Sequence, residues 1–143
     1  PEIVQDLLRR CLESGADFCY PVSSKEDCDR VYPGVKRTYV TLRDGTFTGG
    51  NMFFVRKSSV EKAWPMAEKM IEYRKSPLKM VSVLGLGFLL RFALKTLTVS
   101  DLEKKFGSLL SLNPKAILNV RPEVGVDVDK PSDLELCRRE LAK

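Results

Sequence analysis

The chain has 143 residues, with 43% hydrophobic and 30% charged residues, a size and balance that suit one globular domain able to bury roughly two thirds of its unfolded surface. It contains no histidine, which removes the Ser-His-Asp and Cys-His nucleophile arrangements, the HExxH metalloprotease site and the Cys₂His₂ zinc finger. The charge excess, 24 Lys+Arg against 19 Asp+Glu for a net +5, suits a phosphate-bearing ligand and equally an ordinary enzyme surface.

Residues 2–14 carry Ile3, Val4, Leu7, Leu8, Cys11 and Leu12 at helical spacing, with Pro1 and Glu2 in the first turn and Gly15 just past the end. Asp17 to Val22 reads as a strand, and Ser23 to Gly34 as a polar loop closed by Pro33-Gly34. The β-branched and aromatic run Lys36 to Arg43 is followed by Asp44-Gly45, Phe47 and Met52 to Val55, a hairpin signal that predicts two extended segments. From Ser58 the pattern turns helical, with Ser58 or Ser59 as cap and Ala63, Met66, Ala67, Met70 and Ile71 as the apolar stripe. Trp64 and the methionines are expected in the core, and Arg56, Lys57, Arg74 and Lys75 on the solvated surface.

Pro77 opens a second helix running into the apolar stretch Met80 to Leu90. That stretch is interrupted by Ser82, Gly85 and Gly87 and is far shorter than the roughly 20 residues that span a bilayer, so no membrane partner is expected. Ser100 with Glu103 predicts a capping box for a helix through Leu110. Ala116 to Val120 reads as a buried strand and Val124 to Val128 as extended. Ser132 with Glu135 predicts a second capping box opening a final helix with Leu134, Leu136, Cys137 and Leu141. The order of elements is α/β in character.

Cys11, Cys19, Cys28 and Cys137 form no CxxC pair and match no zinc site or disulfide framework. They read as reduced thiols in a cytoplasmic protein. No run of five like charges and no aromatic-basic signature is present, so no nucleic-acid partner is expected.

Chemistry concentrates in Gly125-Val126-Asp127-Val128-Asp129-Lys130-Pro131-Ser132-Asp133-Leu134. In an extended chain Asp127 and Asp129 share a face, with Val126 and Val128 turned to the core. Two such carboxylates before a helix start suit Mg²⁺, which takes one or two protein carboxylates and completes its shell with phosphate and water. The alternative from spacing is a solvated pair, one of which caps the helix. In the second segment, Asp44 to Val55, Gly49-Gly50 allows close backbone approach to a ligand and Asn51 offers a donor and an acceptor; an ordinary tight turn fits as well. Lys36, Arg37 and Arg43 nearby suit phosphate or carboxylate contacts, or simple solvation.

The first segment resembles the closing motif of nucleotidyltransferases with a GT-A-like fold. Among these are the MobA-like NTP transferases (molybdenum-cofactor guanylyl- and cytidylyltransferase-like proteins) and the sugar-acid cytidylyltransferases, in which an acidic or Asn-containing pair precedes a Pro-Glu-Asp-Leu helix start. By that resemblance Asp129 matches the metal-binding position and Asp127 a second or outer ligand, with Mg²⁺ as cofactor. Lys130 stands where Thr is frequent and Ser132 where Glu is common, departures that touch the helix cap rather than the metal. Thr48-Gly49-Gly50-Asn51 resembles the loop that lines the acceptor side of the cleft in the same group, so Thr48, Gly49, Gly50, Asn51, Lys36 and Arg37 become candidate substrate-binding residues. A helical insertion at about 58–112 is expected between the motifs.

The resemblance implies an incomplete GT-A-like, Rossmann-like α/β domain with a mixed sheet and flanking helices. The family's Gly-rich triphosphate loop (Leu-x-Ala-Gly-Gly-x-Gly-x-Arg-Met) and its Asp-x-Pro metal motif are not found in this sequence. Residues 1–143 are therefore expected to be the carboxy-terminal part of one nucleotidyltransferase domain, inactive alone and prone to self-association through the uncovered face. The implied reaction moves a nucleoside monophosphate from a nucleoside triphosphate to a small-molecule acceptor and releases pyrophosphate. The alternative is a non-catalytic interaction or regulatory domain on the same fold.

Overall fold

A computed structural model describes residues 2–73 and 75–142; the readings at Pro1 and Arg74 lie outside them. Helix α1 (Glu2–Ser14) leads into strand β1 (Phe18–Ser24), helix α2 (Lys25–Val31) and the hairpin β2 (Val40–Leu42) and β3 (Gly45–Gly49). Then come β4 (Phe54–Val55), helices α3 (Lys57–Tyr73), α4 (Pro77–Leu84), α5 (Leu86–Ala93) and α6 (Val99–Leu110), strand β5 (Pro114–Ile117), a 3₁₀ turn at Pro122–Gly125 and helix α7 (Pro131–Leu141). The result is a mixed α/β structure with flanking helices, as the order of elements predicts. Among the described residues no helix is long and apolar enough to cross a membrane.

β1 is the centre of the sheet. It pairs parallel with β5 on one edge and antiparallel with β3 and β4 on the other. Val22 pairs with Gly49 and Cys19 with Phe54, so four residues (50–53) face two (Tyr20 and Pro21) between those points. The extra chain forms a wide bulge beside Pro21, which has no N–H to contribute and accepts instead, from the Gly50 amide at 2.9 Å. One face of the sheet packs on α1, where Leu7 and Cys11 meet Cys19, Ile117, Val120 and Val124 in the core. The other face looks toward α3 and α6.

Several local readings are corrected. The polar stretch 23–34 contains α2, capped by the Ser24 hydroxyl accepting from the Asp27 amide; its single buried residue, Cys28, leaves no apolar stripe to read. Strand pairing is confined to Val40–Leu42, so Lys36 and Arg37 lie on a loop. Leu42 pairs with Gly45, which puts Arg43-Asp44 rather than Asp44-Gly45 at the hairpin tip. Helix α3 begins at Lys57, and Ser59 is buried within it rather than capping it. The apolar stretch breaks at Gly85, whose φ of 84° separates α4 from α5.

The cap of α6 is Thr98 with Asp101, while Glu103 accepts from the Ala116 amide of β5 at 2.9 Å. Strand β5 spans 114–117 instead of 116–120, and the segment expected extended from Val124 starts as the end of the 3₁₀ turn. Val128 is 52% exposed rather than turned to the core, and Trp64 is 59% exposed. At α7 the Asp133 carboxylate, not Ser132 with Glu135, accepts from the Lys130 amide at 2.9 Å; the Lys-Pro pair leaves no hydroxyl at the cap position.

Candidate functional site

Three distant stretches close on one cleft of about 320 Å³: the loop after α2, the end of β3 with its bulge, and the segment between the 3₁₀ turn and α7. Lys36, Arg37, Thr48, Gly49, Asn51, Asp127 and Asp129 all line it. Gly50 does not. A Cβ there would sit 2.7 Å from Val124 Cγ1, so its smallness serves the packing of the bulge against the 3₁₀ turn. Arg43 is also elsewhere, with its amide donating to the Leu97 carbonyl at 2.8 Å.

The cleft is assembled by backbone contacts around the two glycine-containing segments. The Asn51 amide donates to the Val124 carbonyl at 2.9 Å, which fixes the bulge to the turn preceding the aspartates. Arg37 Nη1 donates to the Gly125 carbonyl at 2.7 Å, and the guanidinium lies over the Tyr32 ring with 5.8 Å to the centroid. Its Nε is buried with no hydrogen-bond partner among the described residues. Burial raises the Tyr32 hydroxyl pKa above its ordinary value, with Glu123 next in effect, so the ring under Arg37 stays neutral near pH 7.

Asp127 and Asp129 are exposed and sit on unpaired backbone rather than at a strand end. Asp127 Oδ1 accepts from the Val128 amide at 3.1 Å. The Asp129 amide donates to Asp133 Oδ2 at 3.2 Å, the oxygen that also receives the Lys130 amide. Asp133 therefore organises the loop that presents Asp129. Among the described residues no three His, Cys, Asp or Glu side chains converge as a complete metal site. The donor set fits a hard cation only as two carboxylate oxygens supplemented by phosphate and water, the arrangement Mg²⁺ favours.

Thr38, Gly125, Lys130 and Asp133 also line the cleft, and the sequence reading does not single them out as site residues. For Asp133 a signal exists: it follows Asp129 by four residues at a helix start, one turn away. Gly125 is dictated by proximity, since a Cβ there would meet Arg37 Nη1 at 2.9 Å and the Gly49 carbonyl oxygen at 3.2 Å.

No family model matches the sequence, and no curated protein matches it significantly. A solved structure does: a hypothetical transferase from Thermus thermophilus, with a TM-score of 0.85 and 38% identity over 93% of this chain. The match spans 57% of that solved chain. The α/β architecture with its mixed sheet is thus shared with a protein described as a transferase.

Proposed function

We propose that this chain is a transferase segment, and specifically the acceptor-binding and metal-holding part of a Mg²⁺-dependent nucleotidyltransferase of the MobA-like, GT-A-like kind. The observation that carries the reading is the meeting of Thr48, Gly49 and Asn51 with Asp127 and Asp129 across one cleft beside Lys36 and Arg37. The likeness to a transferase at 38% identity supports the broader class.

In this reading the acceptor lies along Thr48–Gly49, where the Thr48 hydroxyl and the Asn51 side-chain carboxamide orient it, and its nucleophilic oxygen is directed at the α-phosphorus of a nucleoside triphosphate. The oxygen–phosphorus bond forms as the bond to the β-phosphate oxygen breaks, and pyrophosphate leaves. Arg37 spends one Nη1 N–H on Gly125 and has its Nε buried, which leaves the other Nη donors; with Lys36 it holds anionic oxygens in place. Asp129, with Asp127 beside it, would hold Mg²⁺, which neutralises the charge developing on the phosphates. No side-chain base is required when the acceptor is itself a phosphate, which agrees with a chain lacking histidine.

The test is Mg²⁺-dependent pyrophosphate release by the natural gene product. Asp129→Ala should lower it by about a hundredfold or more, and Asp127→Ala by less. A second readout uses the 143-residue chain alone: Mn²⁺ should broaden the amide resonances of 127–130 selectively, and Asp129→Ala should remove the effect. Unchanged pyrophosphate release in Asp129→Ala would sink the metal assignment and leave a solvated pair of aspartates; no pyrophosphate release from the natural gene product at all would leave the non-catalytic interaction domain as the reading.

A further inference from the structure

The face of the sheet opposite α1 carries a second, larger cavity of about 580 Å³ with an almost wholly apolar wall. Phe18 and Tyr20 of β1 and Phe47 of β3 form its floor; Met70 of α3 and Leu102 and Phe106 of α6 form its roof. Protein interiors pack with few voids larger than a water molecule, whereas small-molecule sites span about 300–1,000 Å³. An apolar space of this size is poorly served by water, which needs two to four polar partners. The space is an open-sided trough between a sheet and two helices, with Tyr20, Val40 and Ile71 of its lining exposed, and its volume suits a chain or ring.

The polar groups of the lining are placed unequally. Glu103 and Lys115 are engaged with each other at 3.4 Å, and Glu103 also holds the Ala116 amide, so that pair is occupied. Thr48 and Gly49, in contrast, line both this cavity and the polar cleft. At Gly49 the end of the Tyr20 side chain packs directly on the backbone, where a Cβ would lie 1.9 Å from the Tyr20 hydroxyl oxygen. An apolar compartment and a compartment bearing Lys36 and Arg37 therefore share one stretch of backbone.

We propose that this cavity binds the apolar body of an amphiphilic phosphate, an alkyl- or isoprenyl-type chain, with the phosphate at Thr48–Gly49 facing Lys36 and Arg37. The placement of the head rests on the acceptor reading of the cleft given above; the placement of the chain rests on the cavity alone. In that reading the amphiphile's phosphate is the acceptor, and one of its oxygens forms the bond to the α-phosphorus as pyrophosphate departs.

Calorimetric titration of the folded protein with decyl phosphate below its micelle concentration, and with butyl phosphate, tests the proposal. Decyl phosphate should bind one per chain and at least about tenfold more tightly than butyl phosphate, because extra methylenes leave water. Ala67→Phe and Ala116→Leu each fill the cavity from a different wall and should weaken decyl phosphate by about tenfold or more while leaving butyl phosphate unchanged. Thermal unfolding confirms which variants are folded, and either one suffices. Equal affinity for the two phosphates, no saturable binding, or decyl phosphate binding indifferent to the folded variants would overturn the proposal. Loss of pyrophosphate release in Asp129→Ala without decyl phosphate binding would remove this inference and keep the proposed function; binding of decyl phosphate with release indifferent to Asp129 would do the reverse.

Discussion

The Arg37 Nη1 donates to the Gly125 carbonyl at 2.7 Å, and the approach requires glycine, because the same nitrogen lies 2.9 Å from where a Gly125 Cβ would stand. The contact joins the loop after α2 to the segment carrying both aspartates. Arg37→Ala should lower stability by about 2 kcal/mol, the scale of a hydrogen bond to a charged group. Arg37→Lys should recover less than half, because a single ammonium cannot keep both the carbonyl contact and the cation–ring contact over Tyr32. Urea midpoints measure both, and an unchanged midpoint for Arg37→Ala would show that the contact does not form in solution.

The cap of α6 predicts a stability difference with a pH signature. The Thr98 hydroxyl accepts from the Asp101 amide at 3.1 Å, and the Asp101 carboxylate accepts from the Thr98 amide at 2.9 Å and pairs with Arg91 at 2.8 Å. Thr98→Ala should cost about 1 kcal/mol. The Thr98 amide above all, then the Thr98 hydroxyl and Arg91, hold the Asp101 carboxyl below its ordinary pKa against a partial opposing effect of burial. A depressed folded-state value means the contribution is complete above the unfolded value of about 3.9 and vanishes as pH falls through the folded one. Urea midpoints from pH 7 to pH 2.5 should therefore converge between the native chain and Asp101→Asn at the acid end. A pH-independent gap would contradict the carboxylate's role.

Thiol reactivity should sort by burial. Burial first, then the neighbouring Cys19, pushes the Cys11 thiol up to about 12, and burial also raises Cys28. Cys11, Cys19 and Cys28 are buried, whereas Cys137 is half-exposed. Because the thiolate is the nucleophile, a maleimide at pH 7.5 should label Cys137 first and the other three only on unfolding. Peptide mapping that found Cys11 and Cys137 modified at equal rates would refute this.

Self-association has a surface to use. Leu78, Leu86, Leu90 and Leu94 are 85%, 61%, 54% and 73% exposed on and just beyond the adjoining helices α4 and α5, and exposed apolar surface of this kind marks contact sites. Light scattering should show a mass that rises with concentration, and Leu86→Glu with Leu90→Glu should return it to the monomer. A monomeric mass at high concentration in the unsubstituted chain would count against it.

What was legible in the amino acids was chemistry and local period. The stripe of α1 acts within a few residues and appears where spacing puts it; the hairpin signal at Asp44-Gly45 marks a turn whose tip is one residue earlier, and of the three interruptions in the apolar stretch, Gly85 is the one that ends a helix. The short, polar α2 was not legible because one buried residue, Cys28, makes no stripe. The caps of α6 and α7 differ from those that spacing predicts because several oxygen-bearing side chains compete within a turn, and the winner depends on where neighbouring elements let the helix begin.

The residue types of the cleft were readable as two separate motifs, but their meeting was not. Thr48 to Asn51 meets the segment of Asp127 and Asp129 through the Asn51 amide on Val124 and the close approach of Gly49 and Gly50 to Gly125 and Val124, and the Arg37 side chain on Gly125 brings in the loop after α2, contacts between segments far apart in the chain. The apolar cavity is a further step removed. It exists because a sheet face built from β1 and β3 stands off from α3 and α6, and the distance between packed elements is set by the sum of side-chain volumes across an interface, a quantity that no single stretch of sequence contains.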